Sequence, residues 1–260
     1  MLIIIFMRVW LILLNAFVIL AGMIRKRSGG FLVNYQLLLF DLDQTLFDTN
    51  TNAENALRKM QLPFEFTFNA DKINYWHRLQ AQMWAGLERK EMTRDELINT
   101  RFSKYFAHYD IAADGPTLER QFQQRFFAEH TLMPHARTML TQLKQRYHLA
   151  VVSNEVRAKQ VRQMGDAHID QFFDRLFLAE EVGFSKPDQR FFQTVKAKYA
   201  TVDPANMLVI GDSLTADIQG ARAAHLDSVW FNPNHAAQPA TNRPRYEVND
   251  LQQLVPLLAD

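Results

Sequence analysis

The sequence predicts an α/β protein: an open parallel sheet wound on both faces by helices and carrying a helical insert. Three observations predict it. The apolar runs LLLFDLD (37–43), HLAVVSN (148–154) and MLVIGD (207–212) each end in polar residues, the pattern of strands buried on both faces of a parallel sheet. Helical patterns lie between such runs, and strand–helix alternation builds this architecture. Residues 52–130 break the alternation, with aromatics and aliphatics at helical spacing and no strand run.

The first strand is LLLFDLD, and the insert follows it. Ile73, Trp76, His77, Gln80 and Trp84 recur at helical spacing, as do Leu97, Arg101, Phe102 and Tyr105, so the insert reads as about four helices. The Phe-rich run FQQRFFAEH (122–130) reads as its return to the core. Pro134 opens a helix with Met139, Leu140, Leu143 and Tyr147 on one stripe, ahead of the second strand. RLFLA (175–179) is a weaker strand candidate. Pro187 opens a helix bearing Phe191, Phe192, Val195 and Tyr199. The third strong strand follows, then a helix from Leu214 to Ala224 and a weaker strand at SVWF (228–231). The Pro- and Asn-rich stretch from Asn232 to Pro244 reads as a loop before a short terminal helix. The expected organisation is a Rossmann-like core of residues 33–51 and 131–260 with a helical cap of residues 52–130. Such a cap would sit over the carboxyl ends of the strands, where ligands of open α/β sheets bind.

Residues 1–32 stand apart. From Met1 to Ile24 only Arg8 and Asn15 interrupt an apolar run, and Arg25, Lys26 and Arg27 follow it. One reading is a membrane anchor, since a spanning helix needs about 20 apolar residues and a basic flank marks the cytoplasmic side. Another is a start-site artefact, with translation beginning at Val33 through a GTG codon. A secretory signal fits less well, because no basic segment precedes the run and no small-residue cleavage pattern follows it. Either leading reading leaves the globular part in the cytoplasm, with membrane contact only if residues 1–24 are real.

Composition removes several classes of function. In 260 residues there are 29 Lys plus Arg against 28 Asp plus Glu, a net charge of +1, which offers no electrostatic footprint for nucleic acid. There is no cysteine, so disulfides, thiolate metal sites and thiol nucleophiles are excluded. Apolar residues at 48% and charged residues at 22% describe an ordinary globular chain.

The polar ends of the three strong strands carry the chemistry. Asp41 and Asp43 flank Leu42, and residues two apart on a strand face the same side. Two carboxylates so placed call for a cation or a shared proton, although turn and capping acids look the same. Ser153 and Asn154 end the second strand and offer donors to an anion, again as capping residues also do. Lys186 precedes Pro187 at a helix start, where a cation opposes the helix dipole; it is either an anion ligand or a solvated lysine. Gly211-Asp212 ends the third strand, and Asp217 follows one turn on. Together these residues supply hard oxygen ligands suited to Mg²⁺, phosphate contacts and an aspartate able to act as nucleophile.

FDLDQTL (40–46), VVSN (151–154), GFSKPD (183–188) and GDSLTAD (211–217) resemble the four motifs of the haloacid dehalogenase superfamily, in the same order, over Leu37 to Val255. The insert resembles the helical cap of that superfamily's first cap class. Within it, KINYWHRLQAQMWAGLERKEMTRDELINTRF (72–102) is similar to the cap of bacterial pyrimidine 5′-nucleotidases. The resemblance implies an Mg²⁺-dependent phosphatase for a small phosphorylated metabolite, a nucleoside 5′-monophosphate foremost. Asp41 is then the nucleophile and Asp43 the general acid and base. Thr45 and Ser153 hold phosphate oxygens with Asn154 nearby, and Lys186 neutralises charge. Asp41, the backbone carbonyl of Asp43 and Asp212 bind the metal, while Asp217 acts through water or by orienting Lys186. Asp43 favours phosphoryl transfer over dehalogenation, which needs no acid at that position.

Two positions depart from the family pattern. Gln44 stands where related enzymes often have an acid or a glycine, facing away from the nucleophile. Glu155 replaces a glycine and puts a carboxylate near the entrance. In the insert, Trp76, Trp84, Phe102 and Tyr105 could stack on a base, but core packing is the simpler reading. His77, His108, His130, His135 and His148 read as surface or core histidines. Other outcomes are a phosphatase for phosphoglycolate or a sugar phosphate, and a non-enzymatic, membrane-tethered interaction protein that kept the fold.

Overall fold

The computed structural model describes residues 34–259. The N-terminal segment 1–32 and the candidate start at Val33 lie outside them. Among the described residues, no helix is long and apolar enough to cross a membrane.

The apolar runs form the sheet. Strands β1 (Leu37–Phe40), β2 (His148–Ser153), β3 (Arg175–Leu178), β4 (Met207–Gly211), β5 (Asp227–Phe231) and β6 (Tyr246–Val248) are ordered β3-β2-β1-β4-β5-β6, and every pairing is parallel. Leu37 and Leu39 pack with Ala150, Val152, Met207 and Val209 into a core cluster that includes Phe191, Phe192 and Val195. The alternate side chains Leu38, Phe40, Leu149, Val151, Leu208 and Ile210 are equally buried. Burial on both faces is why these strands read as continuous apolar runs rather than alternating ones. The strand order reverses between β1 and β4, and the crevice beyond their carboxyl ends is the switch point where such sheets bind ligands.

The insert after β1 holds four helices: α1 (Thr49–Arg58), α2 (Ala70–Glu88), α3 (Arg94–Ala107) and α4 (Gly115–Phe126). The first begins at Thr49, earlier than the expected boundary at 52, because Asp48 caps it by accepting from the Thr51 amide. The insert builds its own core from Leu57, Ile73, Trp76, Phe102, Tyr105, Phe106 and Phe122 among others. The chain enters and leaves it side by side. The Met133 amide donates to the Leu46 carbonyl at 2.8 Å and the Asp48 amide to the Thr131 carbonyl at 3.0 Å.

After the insert come α5 (Ala136–Leu143), α6 (Arg157–Asp166), α7 (Ala179–Val182) and α8 (Gln189–Lys198). Beyond β4 a π-helical turn (Leu214–Gln219) runs into α9 (Gly220–Ala223), and α10 (Leu254–Leu257) is near the end. Besides the short α7, two elements escaped the sequence reading. The edge strand β6 lies just past the Asn232–Pro244 loop, and α6 follows β2 without an apolar stripe to announce it. Its buried residues are Lys159, Gln160, Gln163 and Met164.

Candidate active site

The site forms where β1, β2 and β4 end. Strand β1 stops at Phe40, so Asp41 and Asp43 belong to the turn after it and not to the strand. Their carboxylates have different partners. Asp41 turns toward β4, where Asp41, Asp212 and Asp217 each offer a carboxylate oxygen within 4.8 Å of the others. Asp43 turns to α6 and α1. Its Oδ1 accepts from Lys159 Nζ at 2.5 Å and from Thr49 Oγ1 at 2.8 Å, and its Oδ2 from Gln160 Nε2 at 2.6 Å. The Asp43 carboxylate is not among the three clustered ones.

Lys186 ties the acidic cluster together. Its buried ammonium donates to Asp41 Oδ1 at 2.7 Å, Asp217 Oδ1 at 2.6 Å and the Val152 carbonyl at 2.7 Å, so all three of its donors are used. Burial pulls this ammonium's pKa down, but Asp217 and Asp41 outweigh it and hold it above the ordinary lysine value. Asp217 reaches Lys186 because Gly211 has no side chain: a Cβ there would lie 2.2 Å from Asp217 Oδ2. The π-helical turn, a feature frequent at functional sites, carries Asp217, whose Oδ2 accepts from the Ser213 amide at 3.1 Å.

The carboxyls feel the excess of negative charge. Burial, eased by Lys186 but reinforced by Asp217 and Asp43, pushes Asp41 up to about 7. Burial and then Asp41 and Asp217 raise Asp212 well above its ordinary value. Two buried carboxylates and the half-buried Asp212 against one ammonium are a donor set that suits a hard divalent cation such as Mg²⁺.

Two expected anion ligands are engaged elsewhere. Asn154 clamps the backbone of Lys186: its Oδ1 accepts from the Lys186 amide at 2.8 Å and its Nδ2 donates to the Lys186 carbonyl at 2.9 Å. The Thr45 hydroxyl donates to Asp212 Oδ1 at 3.2 Å and accepts from the Asp212 amide at 3.1 Å. Both side chains orient other site residues. Ser153 differs. Its Oγ accepts from the Glu155 amide and from Gln160 Nε2, each at 3.1 Å, which leaves its own proton to donate.

Besides Thr49, two residues of the insert reach this edge of the sheet. Glu88, the last residue of α2, accepts from Ser213 Oγ at 3.2 Å. Arg94, the first residue of α3, pairs with Glu155 at 2.7 Å. Glu155 thus answers a cation of the insert. Burial raises its carboxyl, but Lys159 and Arg94 overcome that and hold it at about 2. Of the four aromatics, Trp76, Phe102 and Tyr105 are buried in the insert's core. Trp84 stays partly exposed, with the Arg94 guanidinium 5.5 Å from its ring centre. The histidines lie outside the acidic cluster: His77 meets Glu54, His135 meets Asp250 and His148 meets Asp174, while His108 stacks on Tyr75 and His130 bonds the Ala128 carbonyl.

Sequence reasoning missed Thr49, Lys159, Gln160 and Trp230, whose Nε1 donates to the Asp212 carbonyl at 2.8 Å. The available signal for Lys159 and Gln160 was their place about two turns after Ser153, where strand–helix alternation requires a helix.

The family profile described as haloacid dehalogenase-like hydrolase matches residues 35–225. The chain belongs to that hydrolase family. HAD-hydrolase YfnB of Bacillus subtilis is 33% identical over 224 residues, 86% of this chain and 95% of that one. Pyrimidine 5′-nucleotidase PynA of Streptococcus pneumoniae is 32% identical over 225 residues, with 86% and 95% covered. Pyrimidine 5′-nucleotidase YjjG of Escherichia coli is 25% identical, with 87% and 99% covered. A magnesium-bound crystal structure of the B. subtilis protein superposes with a TM-score of 0.81 at 32% identity, over 87% of this chain and all of that one. Membership in the hydrolase family sets aside the reading of a non-enzymatic interaction protein. The expected parallel α/β core of this HAD hydrolase is the fold observed.

Proposed function

We propose that this HAD hydrolase cleaves small phosphomonoesters, nucleoside 5′-monophosphates foremost, with Mg²⁺ and through a phosphorylated Asp41. The observation that carries the reading is the Asp41 carboxylate, fixed by Lys186 and clustered with Asp212 and Asp217, with Asp43 held separately two residues on. The two pyrimidine 5′-nucleotidases among the relatives support the substrate class.

Asp41 attacks phosphorus with the carboxylate oxygen that Lys186 leaves free. The phosphorus–oxygen ester bond breaks, and Asp43 gives its proton to the departing alkoxide. Water then attacks the phosphorus of the aspartyl phosphate, Asp43 takes its proton, and Asp41 and inorganic phosphate are released. Proton transfer of this kind is worth about 10²–10⁴-fold. Ser153 donates its unused proton to a phosphate oxygen, and the Lys186 ammonium offsets charge on Asp41 and the transferring group. Asp41, Asp212 and the Asp43 carbonyl would hold Mg²⁺, which when bound offsets repulsion between carboxylate and phosphate. Asp217, both of whose oxygens already accept from the protein, would reach it through water. The helices of residues 49–126 serve as the cap, with Glu88 and Arg94 among their contacts to the core, and the site works in the cytoplasm.

The test is phosphate release with Mg²⁺ from pyrimidine and purine 5′-monophosphates, phosphoglycolate and sugar phosphates. Fastest release from pyrimidine nucleotides is expected. Preference for phosphoglycolate or a sugar phosphate would discard the nucleotide reading, and no release from any ester would discard the phosphatase.

A further inference from the structure

Helix α6 buries a polar face where a helix on a parallel sheet ordinarily buries apolar side chains. Lys159, Gln160 and Gln163 are each exposed by 1% or less. An ammonium removed from water is unfavourable unless paired. Lys159 Nζ is paired with Asp43 Oδ1 at 2.5 Å, and it lies 4.8 Å from the centre of the Phe126 ring, at the end of α4. Gln160 Nε2 bridges Asp43 Oδ2 at 2.6 Å and Ser153 Oγ at 3.1 Å. Gln163 Nε2 donates to the Phe126 and Glu129 carbonyls, where the insert returns to the core.

We propose that Lys159, together with Gln160, is a positioning residue that fixes the Asp43 carboxylate for proton transfer; this rests on the reading of Asp43 as general acid and base. The two donors come from adjacent residues of one helix and grip different oxygens of the carboxylate, so the plane of the group is set and not only its location. Neither side chain is assigned a contact with the phosphate; both act through Asp43. The same helix holds the end of the insert through Gln163, so Asp43 is registered against cap and core together.

The test uses Lys159→Met, which keeps length and packing but removes the charge. Two substrates separate the roles: a nucleoside 5′-monophosphate, whose alkoxide needs a proton to leave, and 4-nitrophenyl phosphate, whose phenolate does not. The expected result is a roughly 10–10²-fold lower kcat on the nucleotide with KM little changed. First-turnover release of 4-nitrophenolate should stay within about a factor of three. Asp43→Asn combined with Lys159→Met should be no slower than Asp43→Asn alone, because both changes remove one function. Should circular dichroism show that Lys159→Met does not fold, Gln160→Met carries the same comparison without removing a charge. Equal losses on both substrates, an unchanged nucleotide kcat, or additive losses in the double variant would overturn the proposal. Wild-type protein that hydrolyses neither ester would overturn the phosphatase reading and this proposal with it. Activity abolished by Asp43→Asn but kept by Lys159→Met would overturn this proposal alone.

Discussion

Asn154 holds Lys186 by its backbone, with one amide end on the Lys186 N–H at 2.8 Å and the other on its carbonyl at 2.9 Å. The residue just past β2 thus fixes the loop that delivers the ammonium to Asp41 and Asp217. An amide can grip the N–H and the C=O of one residue at once, with separate acceptor and donor atoms; an ionised carboxylate of similar size only accepts.

Asn154→Ala should therefore act on the lysine and not on substrate binding. Two hydrogen bonds lost from a half-buried site predict about 1–3 kcal/mol less stability. Misplacing a group by about 1 Å can reduce turnover by about 10²-fold, so kcat should fall much more than KM rises. Thermal unfolding and steady-state kinetics check both. A large rise in KM at constant kcat would show instead that Asn154 binds the phosphate.

Glu155 makes acid stability a readout of the contact between insert and core. Its carboxyl sits at about 2 in the folded protein against 4.5 for the free side chain. A lowered folded value means stability present above about pH 4.5 and lost as pH falls toward 2. Glu155→Gln should remove of order 1–3 kcal/mol of that acid-dependent stability, so its unfolding free energy should change less between pH 5 and pH 3 than that of wild type. Denaturant titrations at a series of pH values measure the difference.

Gln44 occupies the left-handed region with φ of 58°, and its Oε1 is buried without a hydrogen-bond partner among the described residues. A side chain in this conformation costs roughly 1–2 kcal/mol. The Gln44 amide, which donates to Thr49 Oγ1 at 3.0 Å, belongs to the backbone and survives substitution. Gln44→Gly should raise stability by up to about 1 kcal/mol and leave kcat unchanged, as chemical denaturation and an activity assay would record.

Much of the fold was legible because parallel strands buried on both faces write themselves as apolar runs. Leu37–Phe40, Leu149–Val152 and Met207–Ile210 carry that signal without interruption. The edge strand Tyr246–Val248 did not, since two of its three residues are only half-buried. Helix α6 was hidden for the opposite reason: its inward face is Lys159, Gln160 and Gln163, which no apolar periodicity reveals. The acidic residues of the site were legible from their place at strand ends. Their partners were not, because a sequence shows that Asn154 and Thr45 can hydrogen-bond but not which atoms they will meet. The strand itself ends at Phe40, so period-two reasoning does not by itself fix how the Asp41 and Asp43 carboxylates divide their partners.

The most direct test of the account is to mix the protein with its best phosphomonoester and Mg²⁺, quench in acid within the first turnover, and read the mass of the peptide that contains Asp41. The account predicts a gain of one phosphoryl group on that peptide in wild type, and none in a folded Asp41→Asn variant that has lost turnover. Undiminished phosphate release from Asp41→Asn, or the phosphoryl group on another residue, would contradict it.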